Sequence, residues 1–189
     1  MSRLDSFIRR LQAQRACLEA AADLVHNLDG DVLELGLGNG RTYDHLRQLF
    51  PRRHIYVCER AVAAHPGCVP PPERLLLGDM RETLPSASAH LSARIALAHF
   101  DPGDGNAASS RTLADELAPL IVPLLRLEAV LVSEPAIAIE ELVPLPLPDG
   151  VEAGRYNLYR RVSLQSSPSP GHDLRPRSSL GYHGKHELP

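Results

Sequence analysis

Between Val32 and Leu46 the chain reads VLELGLGNGRTYDHL, with Gly36, Gly38 and Gly40 falling in five consecutive positions. An apolar run leads into them and a helical pattern leads out. Glycines clustered there cost conformational entropy, so the turn needs backbone without side chains. A buried strand, a glycine turn and a helix make the opening unit of an open α/β sheet, and few other folds accept that order.

The rest of the chain continues the pattern. Helical spacing runs from about Leu4 to Leu28 and stops near Gly30. HIYVC (54–58) reads as a second strand, 74–77 as a third closed by Gly78-Asp79, and RIALAHF (94–100) as a fourth closed by Asp101-Pro102-Gly103. Residues 112–127 look helical, with Pro119 and Pro123 expected to kink or split them. A fifth strand is expected over 129–132, and two last ones over 141–145 and 155–162. Strands alternating with helices imply a mostly parallel sheet with right-handed crossovers. The last pair has too little chain between its members for a helix, so it is expected to pair antiparallel.

The 189 residues fit one domain. Residues 1–164 are expected to form it, with the helix 4–28 at its start. Residues 165–189 are Ser, Pro, Gly and His with few apolar side chains, and are expected to be a disordered tail. The net charge of −3 argues against a nucleic-acid binder. Cys17, Cys58 and Cys68 show no paired spacing, which suits a reducing compartment and buried or incidental thiols. The N-terminus is amphipathic, not a signal peptide, and no apolar run reaches membrane-spanning length. A soluble, cytoplasmic protein is expected. The His172, His183 and His186 spacing has no ligand logic, and no metal site is expected. The apolar stripe of Leu4, Leu11, Leu18 and Val25 has two readings, a cover over the site or a homodimer surface, and both stay open.

Ligands of such sheets bind at the carboxyl ends of the strands. Three features meet there: the glycine turn after strand one, Glu59 ending strand two, and Asp79-Met80 after strand three. An acidic residue at the second strand's end can take ribose hydroxyls. An Asp after the third can accept from an adenine amino group, or can simply cap the helix that follows.

The glycine spacing is GxGxG, and Arg41 stands where a dinucleotide fingerprint has its third glycine. With Glu34 two residues ahead of Gly36, this segment resembles the class I S-adenosylmethionine-dependent methyltransferases, as do VCER at 57–60 and LGDM at 77–80. The resemblance covers 32 to about 162. ELGLGNGRTYDHL is also similar to a small group of single-domain bacterial predicted methyltransferases without an appended substrate domain. The resemblance implies a doubly wound, Rossmann-like seven-stranded sheet with an antiparallel last strand. It implies S-adenosyl-L-methionine as cofactor, with Gly36, Gly38 and Gly40 at its amino-acid part, Glu59 at the ribose and Asp79 and Met80 at adenine. Glu34 would brace the loop or reach the ammonium through water. Two departures stand out. Prolines crowd the interval between strands five and six, where the family has a helix. Asp101-Pro102-Gly103 also lacks the proline–proline–aromatic pattern of many amino-methylating members.

His99 and Asp101, two apart at the end of strand four, share a face and are the candidates for moving an acceptor proton. A structural polar pair is the competing reading. Tyr43 either borders the methyl site or packs helix on sheet. The expected activity is methyl transfer to an unidentified acceptor, a small molecule being favoured. A non-catalytic cofactor-binding partner or sensor and a nicotinamide-dependent oxidoreductase are the alternatives.

Overall fold

The computed structural model describes residues 2–102 and 107–164. The chain runs α1 (Arg3–Leu24), β1 (Asp31–Leu35), α2 (Arg41–Leu49), β2 (Ile55–Glu59), β3 (Leu75–Leu77), α3 (Met80–Leu91), β4 (Ile95–Phe100), α4 (Ala107–Ile121), β5 (Leu125–Ser133), β6 (Leu142–Pro144) and β7 (Asn157–Arg161). The sheet order is β3-β2-β1-β4-β5-β7-β6. Strands β1 to β5 are parallel, and β7 inserts between β5 and β6, antiparallel to both. The chain order reverses beside β1, where strands run outward to β2 on one side and β4 on the other. A crevice opens at such a switch point.

Strand alternation sorts the two core layers. Leu33, Leu35, Ala98 and Phe100 pack against Leu84, Leu91, Leu117 and Ile121 of α3 and α4. Val32, Val57, Leu97 and Val130 face α1 and α2, meeting Cys17, Leu18, Ala21 and Leu46. Burial pushes the Cys17 thiol up to about 11 and that of Cys58 up to about 12, so both stay protonated.

Several boundaries differ from expectation. The helix expected over 112–127 is α4, which begins at Ala107 and ends at Ile121. Pro119 is carried inside it, and the break comes at Pro123, in a 3-10 turn over Val122–Leu124. Leu125 to Leu127 then belong to β5. No helix separates β5 from β6, as the prolines there require. The seven-residue stripe of α1 is only half used. Leu18 and Val25 are buried, but Leu4 is 66% exposed. The last 25 residues, 165–189, lie outside the described set, as does the expectation made for them.

Candidate functional site

The turn after β1 uses backbone that L side chains rarely adopt, with φ of 103° at Gly36, 50° at Gly38 and 83° at Gly40. The three are bare for different reasons. A Cβ on Gly40 would stand 2.4 Å from Cys68 Cβ, so that glycine is demanded by the loop packed over it. A Cβ on Gly38 would meet no protein atom within 4 Å. Its free side opens into a cavity of about 550 Å³, lined by Gly36, Gly38, Glu34, Glu59, Asp79, Met80, His99 and Asp101, among others. Gly40 is not among the residues that line the cavity. Tyr43 is also elsewhere. It is buried between α2 and the sheet with Leu46 and Phe50, the Arg47 guanidinium 5.1 Å over its ring. That placement is the helix-on-sheet packing offered as one of its two readings.

Glu59 ends β2 and turns its carboxylate onto the glycine turn. Oε2 accepts from the N–H groups of Leu37 at 2.8 Å and Gly38 at 3.0 Å, and Oε1 accepts from Arg60 at 2.7 Å and Ala61 at 3.2 Å. Burial opposes the charge, but these donors outweigh it and hold the carboxyl below its usual value. Asp79 caps α3, accepting from Arg81 N–H at 2.9 Å, and its carboxylate still lines the cavity. The capping and cavity readings of Asp79 describe one side chain.

The register sets Glu34 of β1 beside His99 of β4, on the face that α1 covers. Both side chains are 1% exposed, and His99 Nδ1 lies 2.9 Å from Glu34 Oε2. Burial alone would strip the proton from His99. The attraction and hydrogen bond of Glu34, joined by the charge of Asp101, outweigh it and raise the imidazole's affinity for a proton. Burial likewise raises the Glu34 carboxyl, with His99 pulling back.

Asp101 is held from three sides. Arg10 Nη2 donates to its two oxygens at 2.6 and 2.5 Å, Gln14 Nε2 to Oδ2 at 2.9 Å, and the Tyr156 hydroxyl to Oδ2 at 2.5 Å. Burial, then Asp101, drives the Tyr156 hydroxyl far up, so it remains a neutral donor. Its ring stacks 6.2 Å from that of His99. His99 and Asp101 do share a face, as expected, but each has its own partners. Reading the sequence missed Arg10, Gln14 and Tyr156. For α1 a signal existed: Phe7, Arg10, Leu11 and Gln14 follow helical spacing and all line the cavity. Tyr156 had none. Helix α1 thus forms the roof of the site. Among the described residues no cluster of His, Cys, Asp and Glu fits a metal, and no helix is long and apolar enough to cross a membrane.

A sheet of this order with a reversed seventh strand, a glycine turn after β1 and an acidic end to β2 defines the Rossmann-like class I methyltransferases. Within that class, the chain belongs to the S-adenosyl-L-methionine methyltransferase family whose model matches residues 1–161. Among solved structures, it is similar to an S-adenosyl-L-methionine methyl transferase from Silicibacter pomeroyi DSS-3, with 49% identity and a TM-score of 0.82, covering 85% of this chain and 99% of that one. Remote similarity extends to human methyltransferase-like protein 13 in complex with SAH, at 15% identity and a TM-score of 0.48, covering 88% of this chain and 84% of that one. A caffeoyl-CoA O-methyltransferase-like protein from Staphylococcus aureus follows, at 16% identity and a TM-score of 0.44, covering 61% and 55%. No curated protein gives a significant match. The protein is an S-adenosylmethionine-dependent methyltransferase, and the oxidoreductase and non-catalytic alternatives fall.

Proposed function

We propose that this enzyme methylates a small-molecule acceptor, seated under α1 beside His99 and Asp101. The carrying observation is that one cavity gathers the glycine turn, Glu59, Asp79 and the buried Glu34–His99 pair. Its volume of about 550 Å³ sits within the range of small-ligand sites, about 300–1,000 Å³. The cofactor must share that space, which favours a compact acceptor.

In this reading Gly36 and Gly38 flank the cofactor's amino-acid part. Glu59 takes the ribose hydroxyls, which replace some of the four backbone donors that now fill its lone pairs. Asp79 and Met80 border adenine. When bound, the cofactor supplies an electrophilic methyl group on a sulfonium. The chain's own task is alignment, exclusion of water and acceptance of a proton. His99 Nε2 is the proton acceptor, and Glu34 on Nδ1 fixes the ring and stabilises the imidazolium. Asp101, locked by Arg10 and Tyr156, orients the acceptor.

Calorimetry with S-adenosylhomocysteine tests the cofactor half. Glu59→Gln should weaken binding by about 1.5–3 kcal/mol, the usual worth of a hydrogen bond to a charged group. Unchanged affinity would remove Glu59 from the cofactor site. His99→Gln should slow turnover about 10²–10⁴-fold, as for a lost general base, with cofactor affinity retained.

A further inference from the structure

The carboxamide of Gln14 occupies the point where two proton acceptors converge. Its Nε2 donates to Asp101 Oδ2 at 2.9 Å and lies 3.3 Å from His99 Nε2, within reach of its second hydrogen. The other ring nitrogen, Nδ1, lies 2.9 Å from Glu34 Oε2, so in the neutral ring Nδ1 carries the hydrogen and Nε2 presents a lone pair. Turning the amide over would set its oxygen against the Asp101 carboxylate, so the NH2 orientation follows from the charge there. Gln14 is half-buried and lines the cleft together with both of its partners.

An NH2 group bridging a carboxylate oxygen and an imidazole nitrogen defines what the site accepts. We propose that the Gln14 amide holds the place of the acceptor, and that the acceptor is a small primary amine whose nitrogen takes that position between His99 Nε2 and Asp101 Oδ2. This rests on the reading of the site given under Proposed function. A hydroxyl carries one hydrogen and can satisfy only one of the two acceptors. A carboxylate carries none. It would also meet the Glu34 and Asp101 carboxylates, which already have His99 and Arg10 as their counter-charges. An ammonium carries a hydrogen for each of the two acceptors.

The chemistry balances with these groups. The ammonium R–NH3⁺ gives one proton to His99 Nε2, and Glu34 counters the imidazolium. The freed lone pair forms the N–C bond to the methyl carbon as the C–S bond breaks, with sulfur keeping that electron pair. The product R–NH2⁺–CH3 retains two N–H donors, one for Asp101, and His99 returns its proton to solvent as the product leaves.

The test uses the full chain saturated with S-adenosylhomocysteine and three probes of equal size: propylamine, propanol and propionate. Propylamine should shift the His99 imidazole resonances; the other two should not. Gln14→Ala removes the internal competitor and should tighten propylamine binding several-fold. Gln14→Met fills the space without any N–H and should weaken it. Affinity for S-adenosylhomocysteine should be the same in all three proteins. Preferential binding of propanol or propionate, or weaker amine binding in Gln14→Ala, overturns the amine assignment. Failure to bind S-adenosylhomocysteine overturns instead the site reading beneath it. With S-adenosylmethionine, benzylamine and a lysine-containing peptide are offered beside benzyl alcohol. Methylated benzylamine supports the proposal. Methylation of the peptide alone overturns its small-molecule half, and methylation of the alcohol alone overturns all of it.

Discussion

The two edges of the sheet carry similar residues and use them in opposite ways. At the amino edge lie Asp31, His54, Arg53, Arg94, Arg126 and Gly30; at the carboxyl edge lie Glu34, His99, Asp101, Arg10 and the glycine turn. The amino-edge arginines serve carbonyls at element ends. Arg53 donates to Val25 O at 2.7 Å after α1, Arg94 to His90 O at 3.3 Å on α3, and Arg126 to Asp29 O. Cations at helix C-termini offset the negative end of the dipole. At the carboxyl edge the charges pair with one another under a roof, whereas Arg94 and His54 meet Asp31 with their own side chains about half exposed. Glycines divide the same way. A Cβ on Gly30 would stand 2.5 Å from Arg94 O, whereas one on Gly38 would meet nothing. A glycine reports on a ligand only when its missing side chain faces space that the protein leaves open.

The largest expected effect comes from Glu34→Ala. It leaves His99 buried without its counter-charge and should cost about 3–5 kcal/mol in chemical denaturation. A loss under about 1 kcal/mol would mean that the pair is no more consequential than an exposed one, and the contrast between the edges would fail.

The glycines sharpen the comparison next. Gly30→Ala combines left-handed strain of about 1–2 kcal/mol with a clash against fixed backbone, so it should destabilise by more than that. S-adenosylhomocysteine affinity should be unchanged in the molecules that fold. Gly38→Ala pays the strain alone, yet should lose binding. Equal effects of both variants on binding would erase the distinction.

Titration adds a smaller, signed effect. His99 and Glu34 both hold their protons more tightly folded than unfolded. The folded state therefore binds more protons, and stability must fall as pH rises through their raised values. The decline begins above the unfolded values, about 4.3 for Glu and 6.5 for His. Its limiting slope is about 1.4 kcal/mol per pH unit for each group. Denaturation midpoints followed against pH should show the decline in the wild type and a flatter profile in Glu34→Gln/His99→Asn. An equal slope in both would assign the dependence elsewhere.

Much of this was legible from residue order. The apolar runs HIYVC and RIALAHF located β2 and β4, and the GxGxG turn with Glu59 and Asp79 located the cleft. The roof was not, because Gln14 and Arg10 meet His99 and Asp101 across more than 80 residues, and the apolar stripe of α1 drew attention to Leu4, which is exposed. Tyr156 precedes an ordinary strand, and nothing local marks its hydroxyl as a partner of Asp101. Gly40 looked like its two neighbours because spacing records that a side chain is missing and not what fills the room. That room belongs to Cys68, whose loop no periodicity announced.

The smallest effect should come from the amino edge. Arg94 pairs with Asp31 at 3.1 Å but is itself 54% exposed, against 1% for both members of the Glu34–His99 pair. Water screens such a pair, and exposed pairs are worth about 0.2–1 kcal/mol. Arg94→Ala also forgoes the bond to His90 O, a carbonyl at the exposed end of α3 that water can take over. Asp31 keeps His54 at 3.7 Å and accepts the loss. The expected cost is about 1 kcal/mol, shrinking further in high salt as the Debye length contracts. S-adenosylhomocysteine affinity should not change, since the site lies at the other end of the strands. A cost of 3 kcal/mol or more, insensitive to salt, would put Asp31 in the same position as Glu34, a buried charge dependent on one partner. The two edges would then differ in exposure but not in energetics.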